Sequence, residues 1–329
     1  MPSPARRRLL IGGVVAATTG LAVLPVARRL ARHRESVFVA RNQRYDGQLV
    51  RTLHDGLLAT GLDAARLRGR RVLLKPNLVE PTRAAPHVTT HPAVVGAAAE
   101  VFRSWGATVV VGEGPGHVRD TEMATVESGL QDVLDRLQLP FADLNYEEVA
   151  WVPNRGRASA LEGFFFPRSV LEADLIVSLA KMKTHHWVGV TASLKNMYGV
   201  IPGIKYGWPK NVLHHNGIPE TVFDINSSIP RTISIIDGIT CMEGDGPIMG
   251  RPKPMGLIVV GTNPTAVDAT VCRLMQVEPR AVNYLRLAAD HLGPVDNQLI
   301  AQRGEAWRPL AARFEILDVP HLRGLRATL

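Results

Sequence analysis

Ser36-Val37-Phe38-Val39-Ala40, then Leu49, Leu53, Leu57 and Leu58, then Arg71-Val72-Leu73-Leu74-Lys75-Pro76-Asn77: the reading of residues 36–77 decides the fold. The flanking apolar runs have the length and Val/Leu content of buried strands, and the leucines between them recur along one helix face. Strand, helix, strand implies a parallel sheet. The rhythm continues with a helix opened by Thr90-His91-Pro92 and reaching Trp105. A strand Thr108-Val109-Val110-Val111 follows and ends in Gly112-Glu113-Gly114-Pro115-Gly116. Further strands are predicted over 174–179, 232–237, 257–260 and 313–317, and further helices over 122–137, 264–275 and 280–292. The expected fold class is α/β, a mostly parallel sheet with helices on both faces; 329 residues also leave room for two closely packed lobes.

The formal charge of +8 is concentrated at one end. Residues 1–35 hold seven arginines against the single acid Glu35, which accounts for six of the eight charges. The remaining body carries too little excess charge to predict a phosphate-tracking surface, so no nucleic-acid partner is expected. Arg6-Arg7-Arg8 precedes a mildly apolar run over 9–24 that is interrupted by Gly12, Gly13 and Gly20. This pattern suits a twin-arginine-type address over 1–35, ahead of a catalytic body over 36–329. It predicts the twin-arginine export machinery as a partner and an extracytoplasmic, periplasmic location. Membrane anchoring through residues 9–24 stays open, because Pro25-Val26-Ala27 is a poor cleavage site.

The chain has only seven lysines, and Lys181, Lys183, Lys195, Lys205 and Lys210 fall within thirty residues of one another. Where Arg is the general cation, clustered Lys marks positions that need a compact ammonium or an amine nucleophile. Lys75 and Asn77 close an apolar strand and form an anion-holding corner. Lys181, Lys183, Thr184 and His185 are read as one loop following a strand that ends at Leu179, suited to binding a carboxylate or phosphate and moving a proton. As loop cations, Lys75 and Lys183 are expected to contribute little to stability. Next comes Ser193-Leu194-Lys195-Asn196-Met197-Tyr198-Gly199, then His214 and His215, with Asp224 placed to orient an imidazole. Asp237-Gly238 leads into an acidic, Gly-rich loop at Glu243-Gly244-Asp245-Gly246-Pro247, suited to orienting a lysine, binding hydroxyls or holding a hard cation. Cys241 and Cys272 are too few for an iron–sulfur cluster, and a disulfide and two free thiols are equally open.

Together Lys75-Pro76-Asn77, Thr90-His91-Pro92, Gly112-Glu113-Gly114, Lys181 to His185, Ser193 to Gly199, Asp237 to Pro247 and Ala266-Val267-Asp268-Ala269 resemble the domain-of-unknown-function 362 family over roughly residues 36–290. Members of that family with an added ferredoxin-like segment differ from this chain, which lacks the cysteines for one.

The stretch from His185 through Gly189 and Lys195 to Pro202-Gly203-Ile204 and His214 also looks like the cofactor segment of the lactate racemase family. That resemblance implies Lys195 as tether of a pincer nucleotide, His214 as a nickel ligand, and His117 and His185 as an acid/base pair. The match departs from the family at Thr191-Ala192-Ser193-Leu194, which is less glycine-rich, and in a longer interval between Lys195 and Pro202.

The combined expectation is an exported enzyme of isomerase, epimerase or hydride-transfer type acting on a small anionic metabolite. Its expected catalytic residues are His117, His185 and Lys195, and its substrate-binding residues Lys75, Asn77, Lys181, Lys183 and Thr184. Cofactor binding is expected at Glu113, Gly114, Lys195 and Asn196. A transition metal, if bound, falls to His185, His214 and His215. The rival expectations are a cluster-free redox accessory protein and an exported anion-binding protein.

Overall fold

The computed structural model describes residues 34–326 except 81, 230 and 290. Residues 1–33, which hold all but the last two residues of the expected address and its apolar stretch, lie outside the described residues, while Glu35 at the end of that segment begins the first strand. Glu35–Leu329 forms one unit.

Its strands are β1 (Glu35–Ala40), β2 (Arg71–Pro76), β3 (Thr108–Glu113), β4 (Phe141–Asp143), β5 (Val149–Pro153), β6 (Gly163–Pro167), β7 (Leu175–His185), β8 (Gly189–Thr191), β9 (Thr232–Glu243), β10 (Arg251–Gly261) and β11 (Ile300–Gly304). The helices are α1 (Leu49–Ala59), α2 (Pro92–Ser104), α3 (Thr121–Ser128), α4 (Leu130–Leu137), α5 (Arg168–Leu171), α6 (Ser193–Asn196), α7 (Gly203–Tyr206), α8 (Asn211–His215), α9 (Ile218–Ser228), α10 (Pro264–Leu274) and α11 (Asn283–Ala288).

One large sheet runs in the order β11-β1-β10-β9-β7-β2-β3-β4, with β8 pairing beside β7. Along this path only β1–β10 and β10–β9 are antiparallel, so the sheet is mostly parallel. β5 and β6 form a separate hairpin.

Alternating strand residues face two apolar layers. On one side Val72, Leu74, Val109, Val111, Val177 and Leu179 pack with Leu53, Leu57, Val95 and Phe102 of α1 and α2. On the other, Leu73, Ile176, Ile236 and Val259 pack with Val222 of α9, Val267 and Val271 of α10, and Tyr284 of α11. Each such fully buried aliphatic side chain contributes roughly 1.5–3 kcal/mol over leaving it exposed.

Several predicted elements differ from the observed ones. β1 and β2 point the same way but are not neighbours, because β10, β9 and β7 lie between them. The single helix over 122–137 is two, broken at Gly129, whose φ of 78° is left-handed. Residues 280–292 give a 3-10 turn and the short α11. Residues 313–317 form no strand: Phe314 is buried, but the backbone there bonds loop groups, with Gly244 N–H donating to Glu315 O. β7, β9 and β10 run well past their predicted limits.

Candidate functional site

The extension of β7 builds one wall of the site. Strand side chains alternate, so the apolar series Leu175, Val177, Leu179 continues on the same face as Lys181, Lys183, His185. All eleven residues of β7 are buried. Beyond the end of β2, β7 is held by β8, with Lys183 opposite Thr191 and His185 opposite Gly189. On the other side β9 pairs with it through a register shift between Lys181 and Lys183. The expected surface loop of cations is therefore a buried strand. Lys183 Nζ donates to Val88 O at 2.8 Å and Pro247 O at 3.2 Å, tying two loops to the sheet. Burial, helped by Lys181 and Lys195, holds its pKa well below the ordinary lysine value.

The corner after β2 is an ion pair. Lys75 Nζ lies 2.5 Å from Glu113 Oε2 of β3 and also donates to Pro76 O and Asn196 Oδ1. Both side chains are almost fully buried. Burial pulls the ammonium down and pushes the carboxyl up, while their mutual attraction opposes both shifts. A Cβ on Gly199 would collide with Lys75 Nζ and Glu113 Oε1, which explains the glycine closing the Ser193–Gly199 motif. Glu113, expected to contact a cofactor, lines the cavity and compensates the Lys75 charge.

Lys195 and Asn196 are presented by α6, and α6 is held from below by Asp268 of α10. The Asp268 carboxylate accepts Ser193 N–H at 2.7 Å and Leu194 N–H at 2.9 Å, satisfying donors at the start of the helix. Its pKa is pushed up to about 7 by burial, against the pull of those two bonds. Asn196 Nδ2 bonds Lys75 O and Ser178 Oγ, which locks the helix to β2 and β7. Lys195 Nζ sits 3.9 Å over the Tyr198 ring. Its pKa is lowered to about 7 by burial and by Lys75.

These groups surround a cavity of about 250 Å³. Its lining brings together Lys75, Asn77, Glu113, Gly114, His117, Lys183, His185, Lys195, Asn196 and His214 from the expected site. Lys210, Trp187, Tyr198 and Thr191 also line it and were not assigned roles from the sequence. Lys210 Nζ donates to Gly114 O at 3.0 Å and to Ile201 O. Burial lowers its pKa to about 7, with Glu113 opposing.

His185 Nδ1 accepts the Trp187 N–H at 3.1 Å. Burial, with Lys195 adding to it, keeps this imidazole neutral, so its proton is on Nε2. Burial likewise lowers His214 to about 4, and Trp187 packs edge-on against it at 5.1 Å. His117 stands exposed at the mouth, its pKa lowered by partial burial and Lys195 against the pull of Glu80. Asn77 Oδ1 and Thr191 Oγ1 are buried in the wall without hydrogen-bond partners among the described residues.

Other expected residues are elsewhere. Lys181 does not line the cavity: its Nζ is 2.6 Å from Asp237 Oδ2 of β9 and 3.1 Å from Tyr45 Oη, a buried network on the near side of the register shift between Lys181 and Lys183. Thr184 Oγ1 donates to Gly244 O and serves the hairpin turn. His215 is exposed and off the cavity, because α8 turns only His214 inward. Asp224 orients no imidazole; it accepts from Asn154, Ala158 and Ser159 and anchors that loop. In the acidic loop Glu243 pairs with Lys253, and Asp245 lies 3.2 Å from His186. Cys241 and Cys272 are buried free thiols.

The residues fit a resident metal poorly. Among the described residues no three His, Cys, Asp or Glu side chains gather closely enough to hold an ion, so His185, His214 and His215 are not a ligand set. Among the described residues, no helix is long and apolar enough to cross a membrane.

A family described as a domain of unknown function, DUF362, matches residues 72–273. A thylakoid-associated protein of Synechocystis is 28% identical over 268 residues, covering 79% of this chain and 80% of the relative. Among solved structures, the lactate racemase apoprotein of Thermoanaerobacterium thermosaccharolyticum aligns at 12% identity and a TM-score of 0.44, over 73% of this chain and 56% of that one. A structural-genomics protein of Thermotoga maritima aligns at 10% identity and a TM-score of 0.34, over 68% of this chain and 57% of that one. The chain thus spans little more than half the length of either solved neighbour.

Proposed function

We propose an enzyme, and proceed from the family: the chain belongs to the domain-of-unknown-function 362 family, whose description assigns no reaction, so function is read from the cavity. The substrate is a small organic anion, and the reaction is proton transfer at a carbon next to its carboxyl or carbonyl group, of isomerase or epimerase type. The observation that carries this reading is Lys195: an amine facing a cavity of about 250 Å³, with no carboxylate partner among the described residues and a pKa near 7. A base poised near the working pH transfers protons best.

Lys183 and Lys210 supply positive potential, since Glu113 compensates Lys75 first. The neutral imidazole of His185, with its proton on Nε2, is suited to donate a hydrogen bond to an oxygen on which charge develops. His117 at the mouth serves as the second proton carrier, exchanging with solvent. Trp187 and Tyr198 line the same space and limit water. Export by the twin-arginine route is part of the proposal and rests on Arg6-Arg7-Arg8 and the apolar run behind them; the thylakoid association of the Synechocystis relative is in keeping with a membrane-side location.

The test is deuterium exchange. Incubation in D2O with a panel of short 2-hydroxy and 2-oxo carboxylates, followed by NMR, should show exchange at C2 of a hydroxy acid or C3 of an oxo acid. Lys195→Met should slow it by roughly 10²–10⁴-fold. Exchange with no acid of the panel, or a rate unchanged in Lys195→Met, contradicts the reading.

A further inference from the structure

We infer that the Lys195 amine adds to the carbonyl of a small 2-oxo acid bound in this cavity and holds it as an imine. The inference rests on the proposed anion site and names its substrate class.

The four cavity amines differ in what already occupies them. Lys75 is committed to Glu113, Pro76 O and Asn196. Lys183 is committed to two backbone carbonyls, and so is Lys210. Lys195 is the exception among the described residues: its contact is the face of Tyr198, which leaves the nitrogen lone pair free when the proton is off. Nucleophilic lysines are activated in this way, by desolvation next to another cation, and here Lys75 is that cation.

The surroundings specify the electrophile. Lys183 and Lys210 stand in the same lining and attract a carboxylate, while the amine needs a carbonyl within reach of that anchored charge. A 2-oxo acid carries both on adjacent carbons and is small enough for the volume. The orphaned Asn77 Oδ1 and Thr191 Oγ1 are independent signs of a missing ligand, since buried polar atoms are rarely left unpaired. Both are able to accept a hydrogen bond from the hydroxyl of the tetrahedral adduct.

In the step itself the nitrogen lone pair forms the C–N bond as the carbonyl π pair moves to oxygen. The nitrogen gives up its two protons, through the neighbouring imidazoles, to that oxygen, which departs as water. The imine withdraws electrons from C3, on the far side of the former carbonyl carbon from the carboxylate, and makes its C–H acidic; with Lys195 held in the adduct, the proton passes to His117, the second carrier of the proposed reaction.

The experiment traps the imine on the full-length protein with glyoxylate and sodium borohydride, whose hydride reduces C=N to a stable secondary amine. Intact-mass spectrometry should show one reduced glyoxylate adduct, and peptide mapping should place it on Lys195. Lys195→Met should abolish it, and Lys205→Met, which alters a lysine resting on Phe165 outside the cavity, should retain it. Lys195→Arg keeps the charge without the nucleophile and replaces the Met variant if that one fails to melt cooperatively. Calorimetry with glyoxylate and with acetate separates the two ideas. Glyoxylate binding without an adduct, or an adduct mapped to another lysine, overturns the imine and leaves the anion site standing. If neither acid binds, both readings fall.

Discussion

Lys75 and Lys195 line one cavity, yet Glu113 lies 2.5 Å from Lys75 Nζ while Lys195 has, among the described residues, only the Tyr198 ring. Removing Lys75 leaves the Glu113 charge buried and uncompensated, so Lys75→Ala should lose roughly 3–5 kcal/mol in urea denaturation. Its identification from sequence as a low-cost loop cation fails for that reason. Lys195→Met removes an amine that burial already disfavours, and should leave the melting temperature unchanged or raise it.

The same contrast sets the pH dependence. Lys195 and Lys210 both lose their charge near pH 7, because the folded protein holds their pKa values below the ordinary one. The groups facing them are Lys75, Lys183, Glu113, Asp143, His117, His185, His214 and Tyr198, of which the imidazoles are kept neutral. An anion favours the protonated amines, so binding takes up protons and affinity is greatest below pH 7. It should fall as pH rises through 7, by up to about tenfold per unit for each proton taken up. Acetate calorimetry in buffers of different ionisation enthalpy measures both the trend and the proton count; affinity that rises with pH contradicts this assignment.

At the scale of the elements, α6 is a single turn, too short to be stable by itself, and its orientation comes from Asp268 of α10. Asp268→Ala leaves two buried N–H groups without an acceptor and should cost about 3 kcal/mol. It should also slow exchange chemistry like Lys195→Met, because the turn carrying the amine loses its anchor. A variant destabilised this way but retaining full exchange would separate α6 from the reaction.

The elements also show what sequence periodicity can carry. β2 and β3 were legible because their apolar runs end where the strands end. β7 was legible only to Leu179: the strand continues through Lys181-Met182-Lys183-Thr184-His185, where polar residues alternate with partly apolar ones, and period-2 alternation was the available signal. The pairing that stabilises this extension comes from β8 and from the far end of β9, both distant from what local pattern reports. Conversely 313–317 has the alternation of a strand but no partner strand to pair with. Lys210 was visible as part of the lysine cluster, yet its role depends on a left-handed backbone at φ 69° that turns it back toward Gly114. The separation of Lys181 from Lys183 rests on the register shift in β9, which no spacing in the sequence encodes.

At the scale of the whole molecule, the ends of β2, β3 and β7, with α6 and the turn before α8, gather Lys75, Lys183, Lys195 and Lys210 against Glu113, the one carboxylate of the lining among the described residues. Ligands of open, mostly parallel sheets bind at such strand ends. Since β1 begins at Glu35, pairing with Ile300, a chain lacking residues 1–34 should fold, remain soluble and stay in the cytoplasm. Cell fractionation of that truncation beside the full chain checks the address, and export of the truncated protein would refute it.

The charge state of one amine, Lys195, decides the chemistry of the cavity. NMR of the protein with lysines isotopically labelled at the ε carbon, with the Lys195 signal assigned by its loss in Lys195→Met, reads that state through a pH titration. The predicted result is titration near pH 7, moving upward when acetate is added. Titration near the ordinary lysine value of about 10.4, unmoved by acetate, would contradict the central claim.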